Sequence, residues 1–316
     1  MNSARLLLVL PCYNEEAILH HTYATLKQYF ADIVGSGLVS PDSKICFVND
    51  GSRDRTWEII EEVAAADPTV IGVKLSRNFG HQSAILAGLE HHVDDFDCFI
   101  TLDADLQDDI HAMTAMLEKH RDGAMIVYGV RNDRSSDSRF KRVTAEGFYT
   151  VMQKMGVPVV FNHADFRLMD RRVLRELGNF REVNLFLRGI VPLVGFRSEK
   201  VFYKRLDRLA GETKYPVSKM MLFAWNGVTS FYTFPMRLVL YFGLFNFLIA
   251  MVIVAYILTS YLFGLTVAGW TSTVLPITFF SGFNMMALGL IGEYIGKIYE
   301  EVKARPRYII EKVVHD

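Results

Sequence analysis

The chain has 316 residues, enough for one large domain with an appendage or for two domains. A formal net charge of −1 gives no basic field of the kind nucleic-acid binding requires, so DNA and RNA are not expected partners. Hydrophobic residues make up 51% and mean hydropathy is positive, both high for a soluble enzyme; the excess is concentrated between Leu238 and Gly292, where no Asp, Glu, Lys or Arg occurs.

Residues 5–10 read as a buried first strand. Its apolar run is too short for a signal peptide and is interrupted by Pro11-Cys12-Tyr13-Asn14-Glu15-Glu16. Asn14 is placed to cap a following helix, with Glu15 and Glu16 in an acidic first turn, and Ile18, Leu26, Tyr29, Phe30 and Ile33 keep helical spacing. Lys44–Asn49 is a second strand, and Asp50-Gly51-Ser52-Arg53-Asp54 supplies turn chemistry before a helix over Thr56–Ala66. A strand at Val70–Leu75, a helix at 82–92, a strand at 98–102, a helix at 110–120 and a strand at 124–130 continue the alternation. This pattern predicts an α/β, Rossmann-like domain with a mostly parallel sheet covered on both faces. Cys12, Cys46 and Cys98 lie in or beside the strands and form no CxxC pair, which predicts buried, reduced thiols.

Three of the strands end in polar clusters, Tyr13-Asn14-Glu15, Asn49-Asp50 and Asp103-Ala104-Asp105, and in a parallel sheet these open on the ligand-binding edge. Alternate residues on an extended segment point the same way, so Asp103 and Asp105 can reach one hard cation. Carboxylate oxygens suit Mg²⁺ or Mn²⁺, ions that also hold substrate phosphates. Taken alone, the same residues would serve as an acidic turn before the next helix, and Asp108 and Asp109 read as charge at that helix's N-terminus. Neither GxGxxG nor GxxxxGK[ST] occurs, so a nucleotide would be held by carboxylates and a metal instead of a glycine-rich cradle.

Residues 133–142 form a polar, charged loop, a lid or a plain solvated loop, followed by a helix over 140–155. A short strand at 164–168 and a helix after Asp170 come next. Arg205, Arg208 and Lys214 surround Gly211 in a loop whose cations suit a pyrophosphate, or water. Residues 216–235 read as an amphipathic segment at a membrane interface, with a soluble core helix as the alternative. The uncharged stretch accommodates two membrane spans, 238–263 and 274–295, joined by a short external turn. Arg237 before the first span, and Lys297, Lys303, Arg305 and Arg307 after the second, place both termini on the cytoplasmic side. The expected organisation is a catalytic domain over 1–215, the interfacial segment, two transmembrane helices within 236–297, and a cytoplasmic tail over 298–316 in which Tyr308-Ile309-Ile310 docks as an apolar cluster. Gly289, Gly292 and Gly296 suit close helix packing, within one chain or in a homo-oligomer.

Val9-Leu10-Pro11-Cys12-Tyr13-Asn14-Glu15-Glu16, Val48-Asn49-Asp50-Gly51-Ser52, Arg77-Asn78-Phe79-Gly80, Asp103-Ala104-Asp105-Leu106-Gln107 and the loop 208–215 together resemble the family 2 glycosyltransferases. Within them the chain looks like the polyprenyl-phosphate sugar transferases, relatives of dolichol-phosphate mannose synthase. The two spans, Phe166-Arg167-Leu168 and Phe186-Leu187-Arg188-Gly189 are most similar to bacterial undecaprenyl-phosphate (bactoprenol) glucosyltransferases. The resemblance implies a glycosyltransferase A-type domain that transfers a hexose, glucose, from a UDP-sugar to undecaprenyl phosphate with inversion, at the cytoplasmic face of the bacterial inner membrane. It implies that Pro11, Tyr13, Glu15 and Asp50 line the uridine pocket and that Asp103, Asp105 and Gln107 hold Mg²⁺ or Mn²⁺ on the donor diphosphate. Arg208 and Lys214 would contact phosphate, Arg77 is a long cation able to reach one, and Asp165 is a carboxylate near the reacting phosphate, as base or as positioning group. Another donor sugar on the same lipid, or a non-catalytic lipid-binding scaffold, are the competing readings. The Gln-X-X-Arg-Trp motif of processive synthases is absent.

Overall fold

The computed structural model describes residues 3–132, 163–182, 187–204 and 270–315, with scattered residues between 239 and 263. It forms two compact units, one of Met1–Pro216 with Arg305–Asp316 and one of Val217–Ala304.

The first unit is built on an eight-stranded sheet. Its strands are β1 (Leu6–Cys12), β2 (Lys44–Asn49), β3 (Val70–Leu75), β4 (Cys98–Thr101), β5 (Ile126–Arg131), β6 (His163–Asp170), β7 (Ser198–Tyr203) and β8 (Ile310–Val314), in the order β7-β5-β6-β4-β1-β2-β3-β8. Every residue of β1 is buried, as expected for a central strand with helices on both faces. The pairs β1–β2, β1–β4, β2–β3 and β5–β7 are parallel, whereas β3–β8, β4–β6 and β5–β6 are antiparallel. The antiparallel insertion of β6 has a direct consequence for the site. Thr101 pairs with Arg167, so beyond this pair the two chains continue to Asp103 on one side and Asp165 on the other.

Helices α1 (Leu19–Gly35), α2 (Thr56–Ala66), α3 (His81–His91) and α4 (Ala112–Arg121) follow β1 to β4, and α5 (Arg171–Leu177) and α6 (Leu187–Leu193) follow β6. Helix α3 lies close against the sheet at Gly88: a Cβ there would come within 2.6 Å of Val9 and 2.8 Å of Val48 side-chain atoms. That close approach aims the first residue of α3, His81, over the carboxyl ends of the strands. Asp170 caps α5, its Oδ1 accepting the Arg172 N–H at 2.8 Å.

Asn14 does not cap α1. The helix starts at Leu19 after Ile18, which makes no side-chain cap bond. Asn14 instead adopts a left-handed φ of 56°, donates its N–H to Ser52 Oγ at 3.0 Å and accepts the Arg53 N–H on Oδ1 at 2.8 Å. It therefore ties the loop after β1 to the loop after β2. The three cysteines are free and buried, and burial pushes the Cys12 thiol well up.

After residues 217–304 the chain returns to the first unit. Arg307 pairs with Glu90 of α3 at 2.7 Å and donates to the Phe180 carbonyl at 3.1 Å, while Tyr308 OH donates to Glu90 Oε2 at 2.6 Å. The tail expected to dock as an apolar cluster then forms β8 on the β3 edge. The predicted first span, the interfacial segment 216–235, the loop 133–142 and the helix 140–155 lie wholly or largely outside the described residues. The predicted second span falls within α7 (Trp270–Val302), a 33-residue helix with exposed Ile277, Phe279, Met285, Met286 and Leu288. Among the described residues no helix is long and apolar enough to cross a membrane.

Arg307→Ala removes a charge-assisted bond from Glu90 and one from the Phe180 carbonyl. The expected loss is about 1–3 kcal/mol of unfolding free energy, read as a lower denaturation midpoint; an unmoved midpoint would mean that the returning segment does not brace α3.

Candidate active site

Two groups of side chains meet at the carboxyl edge of the sheet. The first gathers at the ends of β1 and β2. Asp50, 3% exposed, accepts the Phe79 N–H on Oδ1 at 2.7 Å and the Gly80 N–H on Oδ2 at 2.9 Å. Burial raises its pKa in spite of those two donors. The next residue, Gly51, has φ of 62°, and a Cβ there would lie 2.4 Å from the Arg77 carbonyl carbon and the Asn78 nitrogen. Only glycine permits the turn after β2 to touch the loop after β3 in this way. Arg77 is exposed on that loop with its guanidinium 3.9 Å from the Phe79 ring centroid. Tyr13 is 42% exposed, Pro11 is buried within β1, and Glu15 is half-buried with its N–H donated to Thr56 Oγ1 at 2.8 Å.

The second group forms around the end of β4. Asp103 and Asp105 follow the strand, both half-buried. Asp105 Oδ1 accepts the Gln107 N–H at 3.3 Å across a turn in which Leu106 has φ of 49°. Gln107 itself, expected as a third metal ligand, is only 3% exposed. Asp103 is reached by solvent but sits low among protein groups. Desolvation raises its pKa to about 6, with Asp165, Asp108 and Asp105 adding to the rise and His81 opposing it.

His81 stands between two carboxylates, its Nε2 3.5 Å from Asp103 Oδ1 and 3.6 Å from Asp165 Oδ2. Burial alone would lower the imidazole; Asp165 and Asp103 raise it above its ordinary value. Asp165 is gripped by two guanidinium groups. Arg167 Nη2 reaches Oδ1 at 2.6 Å, and Arg188 engages both oxygens, Nε to Oδ1 at 3.2 Å and Nη2 to Oδ2 at 2.9 Å. Burial would raise this carboxyl, but Arg188, His81 and Arg167 hold it well below the usual carboxylate range. Thr101 Oγ1 donates to the Asp165 carbonyl, which fixes the backbone of β6 against β4.

Asp108 and Asp109 part company. Asp109 stays near the start of α4, accepting the His111 N–H at 3.0 Å. Asp108 is 1% exposed and turns inward, where Arg131 reaches its Oδ1 through Nε at 3.1 Å and Nη2 at 2.9 Å, and Tyr203 OH donates at 2.7 Å. Arg131 and Tyr203 are paired residues at the ends of β5 and β7. The metal-loop candidate is thus tied to the sheet through a buried ion pair, a role the sequence did not reveal because neighbouring aspartates look alike there.

The structure therefore brings Asp103, Asp105 and Asp165 into one cluster and Asp50 and Arg77 into a second beside it, with Tyr13 and Glu15 on the adjoining loop after β1. Helix α3 links them, since Gly80 binds Asp50 and His81 faces Asp103. Arg208 and Lys214 lie outside the described residues. Gln82, next to His81, accepts the Leu187 N–H on Oε1 at 2.8 Å, and Arg167 Nη1 donates to the Leu187 carbonyl at 3.3 Å, just before Arg188. His81, Gln82, Arg167 and Arg188 were not sequence candidates for the site. Phe166-Arg167-Leu168 and Phe186-Leu187-Arg188-Gly189 marked two of them as part of a resemblance, without a role.

Residues 7–178 match the family described as Glycosyl transferase family 2. The chain belongs to that family and is a glycosyltransferase. It is 47% identical over 306 residues to the uncharacterized glycosyltransferase YkoT of Bacillus subtilis (strain 168), covering 97% of this chain and 91% of that one. It is 41% identical to the prophage bactoprenol glucosyl transferase homolog of Escherichia coli (strain K12), covering 97% and 98%, and 41% identical to the bactoprenol glucosyl transferase of Shigella phage SfII, covering 96% and 97%. Among solved structures, a mannosyltransferase from Pyrobaculum calidifontis in complex with GDP-Man and Mn²⁺ overlaps 64% of this chain and 57% of its own, with a TM-score of 0.44 and 16% identity.

Asp108→Asn would leave Arg131 largely buried without its counter-charge. The expected cost is about 3 kcal/mol, measured by chemical denaturation. Gly51→Ala, which meets backbone at 2.4 Å with a left-handed φ, is expected to cost at least about 1 kcal/mol in the same measurement.

Proposed function

We propose that this glycosyltransferase moves a hexosyl group, glucose, from UDP-glucose to undecaprenyl phosphate at the cytoplasmic face of a bacterial membrane. The observation that carries the reading is the near-full-length similarity to proteins named bactoprenol glucosyl transferases. The catalytic unit is read as a glycosyltransferase A-type domain. The Tyr13, Glu15, Asp50 and Arg77 group takes the uridine end of the donor, with Pro11 beneath it in β1, and the Asp103–Asp105 pair takes the diphosphate end.

The donor set at Asp103 and Asp105 fits a hard divalent ion. Both ligands are oxygens, and carboxylates crowd the site strongly enough to raise Asp103. Two carboxylates would leave positions on such an ion for phosphate oxygens and water, as Mg²⁺ and Mn²⁺ prefer. When bound there, the ion neutralises charge that develops on the departing diphosphate. Gln107 contributes its backbone N–H to Asp105 and keeps that carboxylate in place.

The acceptor is a phosphate monoester with a second pKa of about 6, largely dianionic at neutral pH. One of its oxygens forms the bond to the anomeric carbon from the face opposite UDP, the bond to UDP breaks, and UDP leaves with the electron pair. No proton has to be removed from the nucleophile. Asp165, kept ionised by two arginines, is accordingly a positioning group and not a base. Arg208 and Lys214 are assigned to phosphate on family resemblance.

The membrane assignment follows from the acceptor and from the uncharged stretch 238–292. A polyprenyl tail loses about 0.8 kcal/mol for every CH₂ withdrawn from lipid, so the enzyme has to come to the bilayer surface. Two spans over 238–263 and 274–295, with both termini cytoplasmic, would hold it there.

Purified full-length protein incubated with a panel of labelled UDP-sugars and undecaprenyl phosphate is expected to give a labelled lipid from UDP-glucose. A lipid product from another sugar alone would overturn the donor, and none from any donor would overturn the reaction. Asp105→Ala in saturating Mg²⁺ or Mn²⁺ should cut turnover by about a hundredfold or more; near-normal turnover would sink the metal assignment.

A further inference from the structure

A polar residue interrupts the apolar stripe of α1. Ile18, Leu26, Tyr29 and Ile33 keep the spacing of one helix face, and Thr22 falls among them, four residues after Ile18 and four before Leu26. Thr22 is 1% exposed, and a buried hydroxyl needs an acceptor. Its own helix offers the Ile18 carbonyl at 3.2 Å, the same kind of bond that Thr25 makes to the His21 carbonyl at 2.9 Å. Thr22 has a closer acceptor: its Oγ1 lies 2.7 Å from the carbonyl oxygen of Ala104. A hydroxyl has one proton to give, and the shorter bond takes it. Helix α1 thereby reaches across 82 residues of sequence to the loop after β4.

Ala104 is the residue between Asp103 and Asp105. Burial alternates along this loop: Leu102, Ala104 and Leu106 are buried, and Asp103 and Asp105 are half-buried. Local preference does not give the loop that course. Leu106 has a left-handed φ of 49°, which a leucine keeps only where its surroundings impose it. Both ends of the loop are tied down. The Leu102 N–H donates to the Val9 carbonyl at 3.0 Å, and the Asp108 carboxylate is held by Arg131 and Tyr203. Between those anchors Thr22 takes hold of the Ala104 carbonyl. That carbonyl lies in the rigid peptide plane joining Ala104 to Asp105, so holding it sets the direction in which Asp105 leaves the backbone relative to Asp103.

We propose that Thr22 is a positioning residue for the divalent ion: through the Ala104 carbonyl it holds the Asp103 and Asp105 carboxylates in the mutual orientation in which both reach one ion. This rests on the proposed assignment of Mg²⁺ or Mn²⁺ to those two residues and adds the group that sets their geometry. Thr22 is buried and acts on the ion only through the loop. Partners that orient the ligands of an ion without touching it are worth about tenfold to a hundredfold in its affinity.

The test uses the full chain in phosphatidylcholine vesicles with UDP present and Mn²⁺ as the probe, the free ion being followed by its electron paramagnetic resonance signal. Asp105→Ala marks uptake that does not depend on the loop. Thr22→Val keeps the shape of the side chain and removes the hydroxyl, and its Kd for Mn²⁺ is expected to rise about tenfold or more. Thr22→Ser keeps a hydroxyl and should stay near the wild-type Kd. Thr25→Val, which removes only a bond within α1, should leave it unmoved. Thr22→Ala, also without a hydroxyl, carries the test if Thr22→Val does not fold. A wild-type Kd for Mn²⁺ in Thr22→Val, even with a lower denaturation midpoint, would leave Thr22 a packing role and overturn the proposal. An equal rise in Thr22→Val and Thr22→Ser would also overturn it, because the hydroxyl would not be the cause. Equal Mn²⁺ uptake by the wild type and Asp105→Ala would remove the metal assignment itself, and the role of Thr22 with it.

Discussion

Like charge concentrated at one strand end is the constraint around which this cleft is built. Asp103 and Asp165 each lie within 3.6 Å of the same imidazole nitrogen, so their nearest oxygens are no more than about 7 Å apart. At an effective dielectric of about 20, two carboxylates at that distance repel by about 2 kcal/mol. Asp105 and Asp108 add to the field that raises Asp103. The protein answers asymmetrically. Asp165 receives two arginines and a histidine and is held fully ionised. Asp103 faces the histidine at 3.5 Å and is raised by its burial and by the neighbouring carboxylates.

The asymmetry depends on sheet topology. A purely parallel continuation after β4 would have carried the next strand's end residues to the same edge without crossing them over β4. Because β6 runs antiparallel, its early residues, including Asp165, come to the carboxyl end of β4, while its later residues bury against the core. Arg167 is then inside and Asp165 at the boundary. Helix α3 supplies the other half: seated on β1 and β2 through Gly88 and braced at its far end by Arg307 and Tyr308 on Glu90, it delivers His81 and Gln82 to the same boundary.

Much of the scaffold was legible beforehand. Lys44–Asn49, Thr56–Ala66 and Val70–Leu75 have the bounds their patterns predict, because central strands covered on both faces read as apolar runs and their helices keep a clean apolar stripe. Strand β7 was not legible. Its sequence, Ser198-Glu199-Lys200-Val201-Phe202-Tyr203, alternates exposed and buried positions at an edge and carries two charges, so it reads as loop. Strand β8 exists because β3 offers an unpaired edge, and no local pattern announces that. Asn14 followed by two glutamates has the composition of a helix cap, yet a tertiary bridge to Ser52 and Arg53 takes precedence. Asp103 and Asp105 were candidates from their spacing at a strand end, and their assigned role came from the resemblance. His81, Gln82, Arg167 and Arg188 belong to three separate segments and become a site only once β6 reverses.

The ionisation state of Asp165 decides what kind of catalysis this site can offer. A general base works best with a pKa near the operating pH, and a carboxylate held down by two guanidinium groups is a poor proton acceptor. The proposed acceptor, a phosphate dianion, would not need one. For the proposed transfer the chain would have to provide a fixed line of approach, a counter-charge for the incoming dianion, and stabilisation of the departing diphosphate. Those tasks would call for rigid cations and for carboxylates able to hold a divalent ion. The rigid charges the structure shows near the Asp103–Asp105 loop are the buried Arg167 with Arg188, both on Asp165, and the Arg131–Asp108 pair. The fold therefore invests its buried charges in rigidity, and the mobile part of the chemistry is left to the substrates.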